Sequence, residues 1–139
     1  MPDPDLEPGD DAAASASVDS LLDANAAFYA AFEQRDLDAM SDVWAHGDDV
    51  VCTHPGWTTL RGWAAVGASW FALFQGDRPM QFILTEVHGT VAGDAGWVAL
   101  DENLIAGSQA QTVAAVNVFR RVDGHWRLVV HHGSGIATG

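Results

Sequence analysis

This chain contains no lysine, and its six arginines face 19 acidic residues, which gives a formal charge of −13. With so few cations there is no basic stripe to track phosphates, so nucleic acid and anionic membrane surfaces are excluded as partners. Cys52 is the only cysteine. It rules out an internal disulfide, a thiolate metal cluster and a paired redox motif, and in a short β-branched run it reads as a small buried hydrophobe. No apolar run approaches the roughly 20 residues needed to cross a bilayer, and the N-terminus lacks the basic start and apolar core of a signal peptide. The expectation is a soluble, cytoplasmic protein. A nucleophile elbow, a phosphate loop and a dinucleotide fingerprint are also lacking, which sets aside covalent hydrolase, kinase and dehydrogenase chemistry and gives no reason to expect a cofactor.

What is present suits one compact domain, since 139 residues with 48% hydrophobic content can build a real core. Residues 1–17 are rich in Pro, Asp and Ala and cannot bury enough apolar surface to order themselves, so they read as a disordered acidic tail before a single domain at 18–139. Val18, Leu21, Leu22, Phe28, Tyr29 and Phe32 form the stripe of an amphipathic helix to about Gln34, with polar Asn25 set inside it. Asp36 is a credible N-cap for a short second helix carrying Leu37, Met40, Val43 and Trp44, closed by Gly47. Asp49 to His54 reads as a strand and Pro55 to Gly62 as a loop. Trp63, Val66, Trp70 and Phe74 mark a third helix ended by Gly76. After Pro79 the pattern turns to four long strands in meander order, about Met80 to Val91, Gly96 to Ala106, Gln111 to Val122 and His125 to His132. The fold class is α+β, helices first and then an antiparallel sheet against them.

The third long strand is apolar on both faces, Val113, Ala115 and Phe119 on one and Ala114, Val116 and Val118 on the other. Helices can cover only one face, so a second copy is expected on the outer sheet face.

Chemistry concentrates in a few side chains. His54 ends a strand at His-Pro-Gly, which places an imidazole at a sheet rim. By the pleat, Trp126, Leu128, Val130 and His132 share the inner face of the last strand and His131 points outward, unless a bulge shifts the register. Glu102 lies on the apolar face of its strand with Val98, Leu100 and Leu104. A buried carboxylate needs a partner, and either histidine would serve as a coupled pair useful for proton transfer or merely as a structural one. Asn117 shares the face of Val113, Ala115 and Phe119 and could donate to a ligand oxygen or bond to the backbone. Phe28, Trp57, Trp70 and Phe82 are the expected pocket walls, or plain core. His54, His132 and Glu102 are of metal-ligand type but sit at no diagnostic spacing, so no metal is expected.

The order of these features resembles a known family. A helix, the Asp36-Leu37-Asp38-x-Met40 corner, a strand ending in Pro55-Gly56, a third helix, and a meander closing in Asp123-Gly124-x-Trp126 and His132-x-Ser134 are similar to the nuclear-transport-factor-2-like (NTF2-like) superfamily. Within it the likeness is to SnoaL-like and ketosteroid-isomerase-like proteins, over about Val18 to Ile136. The resemblance implies a cone-shaped curved antiparallel sheet wrapped around three N-terminal helices, the cystatin-like or SnoaL-like fold, with a deep apolar pocket and common dimerisation through the sheet.

The resemblance to ketosteroid isomerase puts His54 at the position of the base aspartate and Asn117 at that of the oxyanion-hole aspartate. It puts Phe28 at the position of the oxyanion-hole tyrosine, with Tyr29 beside it and turned aside. All three residue types differ, so what carries over is the roles with changed chemistry. The association domain of calcium/calmodulin-dependent protein kinase type II looks similar across Arg120 to Gly135. There Glu102 and Asn117 stand where that domain has pocket arginines, which implies a neutral or weakly cationic apolar ligand rather than an acidic one. The function expected is a small-molecule pocket protein using His54, Glu102, Asn117 and His132 for cofactor-free acid/base chemistry, namely isomerisation, dehydration, cyclisation or epoxide hydrolysis. The competing reading is a non-catalytic binding or oligomerisation module.

Overall fold

The computed structural model describes residues 8–77 and 79–136, with side chains from Ser17 onward. Helix α1 spans Pro8–Gln34, α2 Leu37–Val43 and α3 Trp63–Leu73; the strands are β1 Val51–Thr53, β2 Leu60–Arg61, β3 Met80–Ala92, β4 Ala95–Ala106, β5 Gln109–Val122 and β6 His125–Gly135. The first helix is continuous from Pro8, ten residues before the expected start at Val18. The rest of the expected tail, 1–7, lies outside the described residues.

The sharp corner between α1 and α2 follows from local chemistry. Arg35 takes a left-handed φ of 51°. This lets its N–H reach the Phe32 carbonyl and the Asp36 N–H the Ala31 carbonyl, the paired bonds that close a helix. The Asp36 side chain then accepts from the Ala39 N–H at 3.1 Å and opens the next helix. At the same end Glu33 accepts the Phe82 N–H at 2.7 Å, tying α1 to the start of the sheet.

The sheet has six strands in the order β2-β1-β6-β5-β4-β3. The four long strands form the expected antiparallel meander. Two features go beyond the sequence reading: β1 pairs with β6 in parallel, and residues read as loop supply a two-residue strand, β2, antiparallel to β1. Both elements are too short to show a period of their own.

Two bulges curve the sheet around the helices. On β3, Glu86 and Val87 together face one residue of β4, and Glu86 takes a φ of 55°. On β6, Val129 is the extra residue, because Val118 pairs with Val130 and Phe119 with Leu128. The result is an open cone whose inner face packs on α1. Its closest approach is at Gly96 and Gly89, where an added methyl would stand 3.0 to 3.1 Å from the Leu21 and Leu22 side chains. Leu21, Phe28, Val98, Phe119, Trp70, Met40 and Leu128 form the dry core, each fully buried.

Candidate functional site

The polar residues inside this cone come from four elements and meet in one chain of hydrogen bonds. Asn25 and Tyr29 lie one turn apart on α1, so they present their ends to the same patch of sheet. Opposite them, Glu102 on β4, Asn117 on β5 and His131 on β6 all point inward. The Tyr29 hydroxyl donates to Glu102 Oε2 at 2.5 Å. Asn117 Nδ2 donates to the Tyr29 oxygen at 3.1 Å and to Asn25 Oδ1 at 2.9 Å. The Asn117 carbonyl oxygen accepts from His131 Nδ1 at 2.5 Å. Because the amide nitrogen is spent on two acceptors, its oxygen faces the imidazole, so His131 is the Nδ1–H tautomer with its Nε2 lone pair free.

His54 forms a second polar point. The Ser69 hydroxyl donates to the Val66 carbonyl at 2.6 Å, so its oxygen accepts from His54 Nε2–H at 2.9 Å. That leaves the lone pair on His54 Nδ1, with the Cys52 sulfur 4.0 Å away. The two imidazole centroids are 6.3 Å apart. Rings fill the space around them: Phe28 lies 4.9 Å from His131, and Trp70 lies edge-on to His54 at 4.8 Å.

Burial sets the charge states. Desolvation holds the His131 imidazole down at about 3 and His54 at about 4, and it lifts the Glu102 carboxyl to about 7 although Tyr29 donates to it. Tyr29 itself is pushed well above the usual phenol range, by burial first and then by the neighbouring carboxylate. Burial also lifts the Cys52 thiol to about 12, which keeps it unreactive. The interior therefore holds two unprotonated bases and a carboxyl poised to be neutral.

Several expectations are corrected. His132 is exposed on the outer face and His131 is the buried histidine, because the Val129 bulge moves every later residue of β6 to the other face. The proposed Glu102–His132 pair is therefore not formed, and the partner of Glu102 is Tyr29. Tyr29 is not turned aside. The curved sheet wraps α1 so widely that Phe28 and Tyr29, 100° apart on the helix, are both buried. Trp57 is 44% exposed rather than a pocket wall, although its ring meets His54 edge-on at 4.9 Å. Phe28, Trp70 and Phe82 do face the interior, packed ring against ring. The recesses at the α1–α2 corner and on the outer sheet face are not lined by His54, Glu102, Asn117 or His131. Among the described residues no group of three or more His, Cys, Asp or Glu converges as metal ligands would, and no helix is long and apolar enough to cross a membrane.

Reading the sequence alone missed Tyr29, Asn25, Ser69 and His131. The signal for the first two was present: a lone Asn inside an apolar helical stripe, four residues before the only tyrosine.

Residues 21–138 match the family model of the SnoaL-like domain. Among solved structures, a candidate dehydratase of the NTF2-like family from Streptomyces avermitilis is 35% identical, superposes with a TM-score of 0.84, and is matched over 89% of this chain and 99% of its own. A candidate calcium/calmodulin-dependent protein kinase type II association domain from Thiobacillus denitrificans is 40% identical, with a TM-score of 0.75 over 82% of this chain and 93% of its own. A cystatin-like NTF2-like protein from Novosphingobium aromaticivorans, 20% identical with a TM-score of 0.71 over 96% of this chain and 92% of its own, shares the fold alone. The F-box protein SKIP8 of Arabidopsis thaliana is 27% identical over 119 residues, 86% of this chain, and this chain spans about half (51%) of its length.

Proposed function

This chain belongs to the SnoaL-like domain family, and from that premise we propose that it is a cofactor-free acid/base enzyme acting on a small, neutral, largely apolar carbonyl compound, with loss of water as the favoured reaction. The observation that carries this reading is the opposite displacement of titrating groups within one interior: imidazoles held at about 3 and about 4 beside a carboxyl held at about 7. Groups pushed apart in this way can act as base and acid at the same pH.

In the proposed reaction His54 Nδ1 takes the proton on the carbon next to the carbonyl. The electron pair forms the new double bond, and the hydroxyl on the next carbon leaves as water with the proton of neutral Glu102. The proton gained by His54 then returns to Glu102, which resets both groups. Tyr29 holds Glu102 in place, Asn117 holds Tyr29, and His131 holds Asn117. A base of such low pKa abstracts slowly but gives the proton back easily, which suits a cycle without net proton uptake. Entry requires Trp57 to swing off His54, and this ring is 44% exposed. The similarity to a candidate dehydratase supports the choice of reaction.

A homodimer through the outer face of β4, β5 and β6 belongs to the same proposal, since Trp97 and Val116 stand about 40% exposed there. The second reading is a module without turnover, whose polar chain specifies the fold. The burial of that polar chain favours it. Alanine at His54 separates the two on β-hydroxycarbonyl substrates, since the first reading requires turnover to fall by about a hundredfold or more. Turnover within a few-fold of the parent contradicts it.

A further inference from the structure

Between β1 and α3 the chain passes beside His54 and is held there by few contacts. Residues 57–59 are exposed, and among residues 57–61 it is Leu60 that packs on the core. Strand β2 pairs with β1 at two positions, Val51 with Arg61 and Cys52 with Leu60. Past one end of this pairing the Thr53 and Thr59 hydroxyls meet at 3.1 Å, and past the other the Gly62 N–H donates to the Val50 carbonyl at 2.8 Å. We infer that residues 57–61 form a strap, hinged at Gly56 and Gly62, which lifts off β1 as a unit and admits small molecules to His54.

The hinges follow from local chemistry. His54-Pro55-Gly56-Trp57 is a type II turn: the Trp57 N–H donates to the His54 carbonyl at 2.9 Å, Pro55 holds the second position, and Gly56 takes the third at φ 81°. Glycine accepts either sign of φ, so the Pro55–Gly56 peptide can turn over to the type I form and re-aim the residues after it. Nothing stands within 4 Å of where a Cβ at Gly56 would lie, which leaves room for that motion. Gly62 has φ 82° and ψ 150°, a region open in practice to glycine alone. Outside the hinges the chain is fixed. The Pro55 ring stands 3.4 Å from where a Cβ at Gly133 would lie, and Trp63, the first residue of α3, donates its N–H to the Gly47 carbonyl at 3.2 Å.

The neighbours of His54 make the strap its way in. Cys52, Ser69, Trp70 and His131 surround the imidazole and are all buried. Trp57 meets the same ring edge-on at 4.9 Å and is half-exposed. Of these neighbours Trp57 is the one that faces solvent, so the route to the imidazole runs past the strap. The strap rests on the entry route of the proposed function and not on its chemistry, and it would gate His54 in the same way in a protein without turnover.

Carbethoxylation by diethyl pyrocarbonate at pH 7, read by mass spectrometry of histidine peptides from the full chain, measures access to His54. In Thr53→Cys/Thr59→Cys a disulfide pins the strap to β1, since side chains that meet at 3.1 Å are within reach of one. The oxidised form should modify His54 at least about tenfold more slowly than its reduced form, while exposed His88 on β3 reacts at the same rate in both. Gly56→Ala, which disfavours the positive φ of the closed turn, should speed His54 modification about fivefold. If the disulfide does not form, Gly56→Ala decides alone. Equal His54 rates in the oxidised and reduced forms, no acceleration in Gly56→Ala, or a parent His54 that reacts only under unfolding conditions overturns the strap. Turnover is not read, so a failure of His54 as base leaves this result untouched.

Discussion

Strand β5 has two faces of nearly the same composition and opposite fates. Inward it presents Val113, Ala115, Asn117 and Phe119, all buried; outward it presents Ala114, Val116 and Val118, with Val116 42% exposed. The one amide of the set lies on the dry side. It is tolerated there because Asn25, Tyr29 and His131 satisfy it from three directions, while the aliphatic residues outside face solvent in the single chain. Hydrophobicity alone does not decide which face is core. The position of the satisfied polar group does, and the outer face stays exposed in the single chain.

The sharpest way to break this comparison is to exchange the two faces' chemistry. Asn117→Leu leaves the His131 N–H and the Asn25 and Tyr29 oxygens without their partner, and the expected loss is about 3 kcal/mol or more in a urea unfolding experiment. Equal tolerance of leucine at 117 and polar residues at 116 would erase the distinction.

Acid should act next most strongly. His131 and His54 are lowered from an ordinary 6.5 to about 3 and about 4, so the stability they contribute is present above pH 6.5 and is lost as pH falls toward those values. Glu102 is raised from 4.5 to about 7, so its contribution is full below pH 4.5 and is lost as pH rises through 7. Two groups oppose one. Net stability should fall by about 2 kcal/mol between pH 6.5 and 5, and Glu102→Gln should steepen that fall. A flat profile over this window contradicts the buried, neutral histidines.

A smaller effect is expected at Trp57. Alanine there should cost less than about 1 kcal/mol, since the ring is half exposed, but it should let water reach His54 and move its titration back toward 6.5. Smallest of all for the single chain is Val116→Asp on the outer face, within about 0.5 kcal/mol. If the proposed dimer forms, its effect should instead appear in sedimentation, with the parent expected to run as a dimer at micromolar concentration and the variant as a monomer.

Much of this architecture was legible in the residues. The apolar stripe from Leu21 to Phe32, the Asp36 cap and the turn signals at Gly93-Asp94, Gly107-Ser108 and Asp123-Gly124 locate three helices and four long strands. The inward direction of Glu102 and Asn117 followed from simple alternation. What alternation could not supply was the bulge at Val129, which depends on how β6 meets β5 and not on any residue in β6. It exchanged the two adjacent histidines. Nor could a local pattern show that Tyr29, from a helix more than 70 positions away, reaches Glu102, because that contact is made by sheet curvature.

One buried interior keeps two imidazoles neutral and lifts a carboxyl toward neutrality. The most direct test is a nuclear magnetic resonance titration of labelled histidine and glutamate side chains between pH 4 and 8. His131 should appear as the Nδ1–H tautomer and His54 as the Nε2–H tautomer, both still neutral at pH 5, with Glu102 at its midpoint near pH 7. Either imidazole charging near pH 6.5, or Glu102 titrating near 4.5, would contradict it.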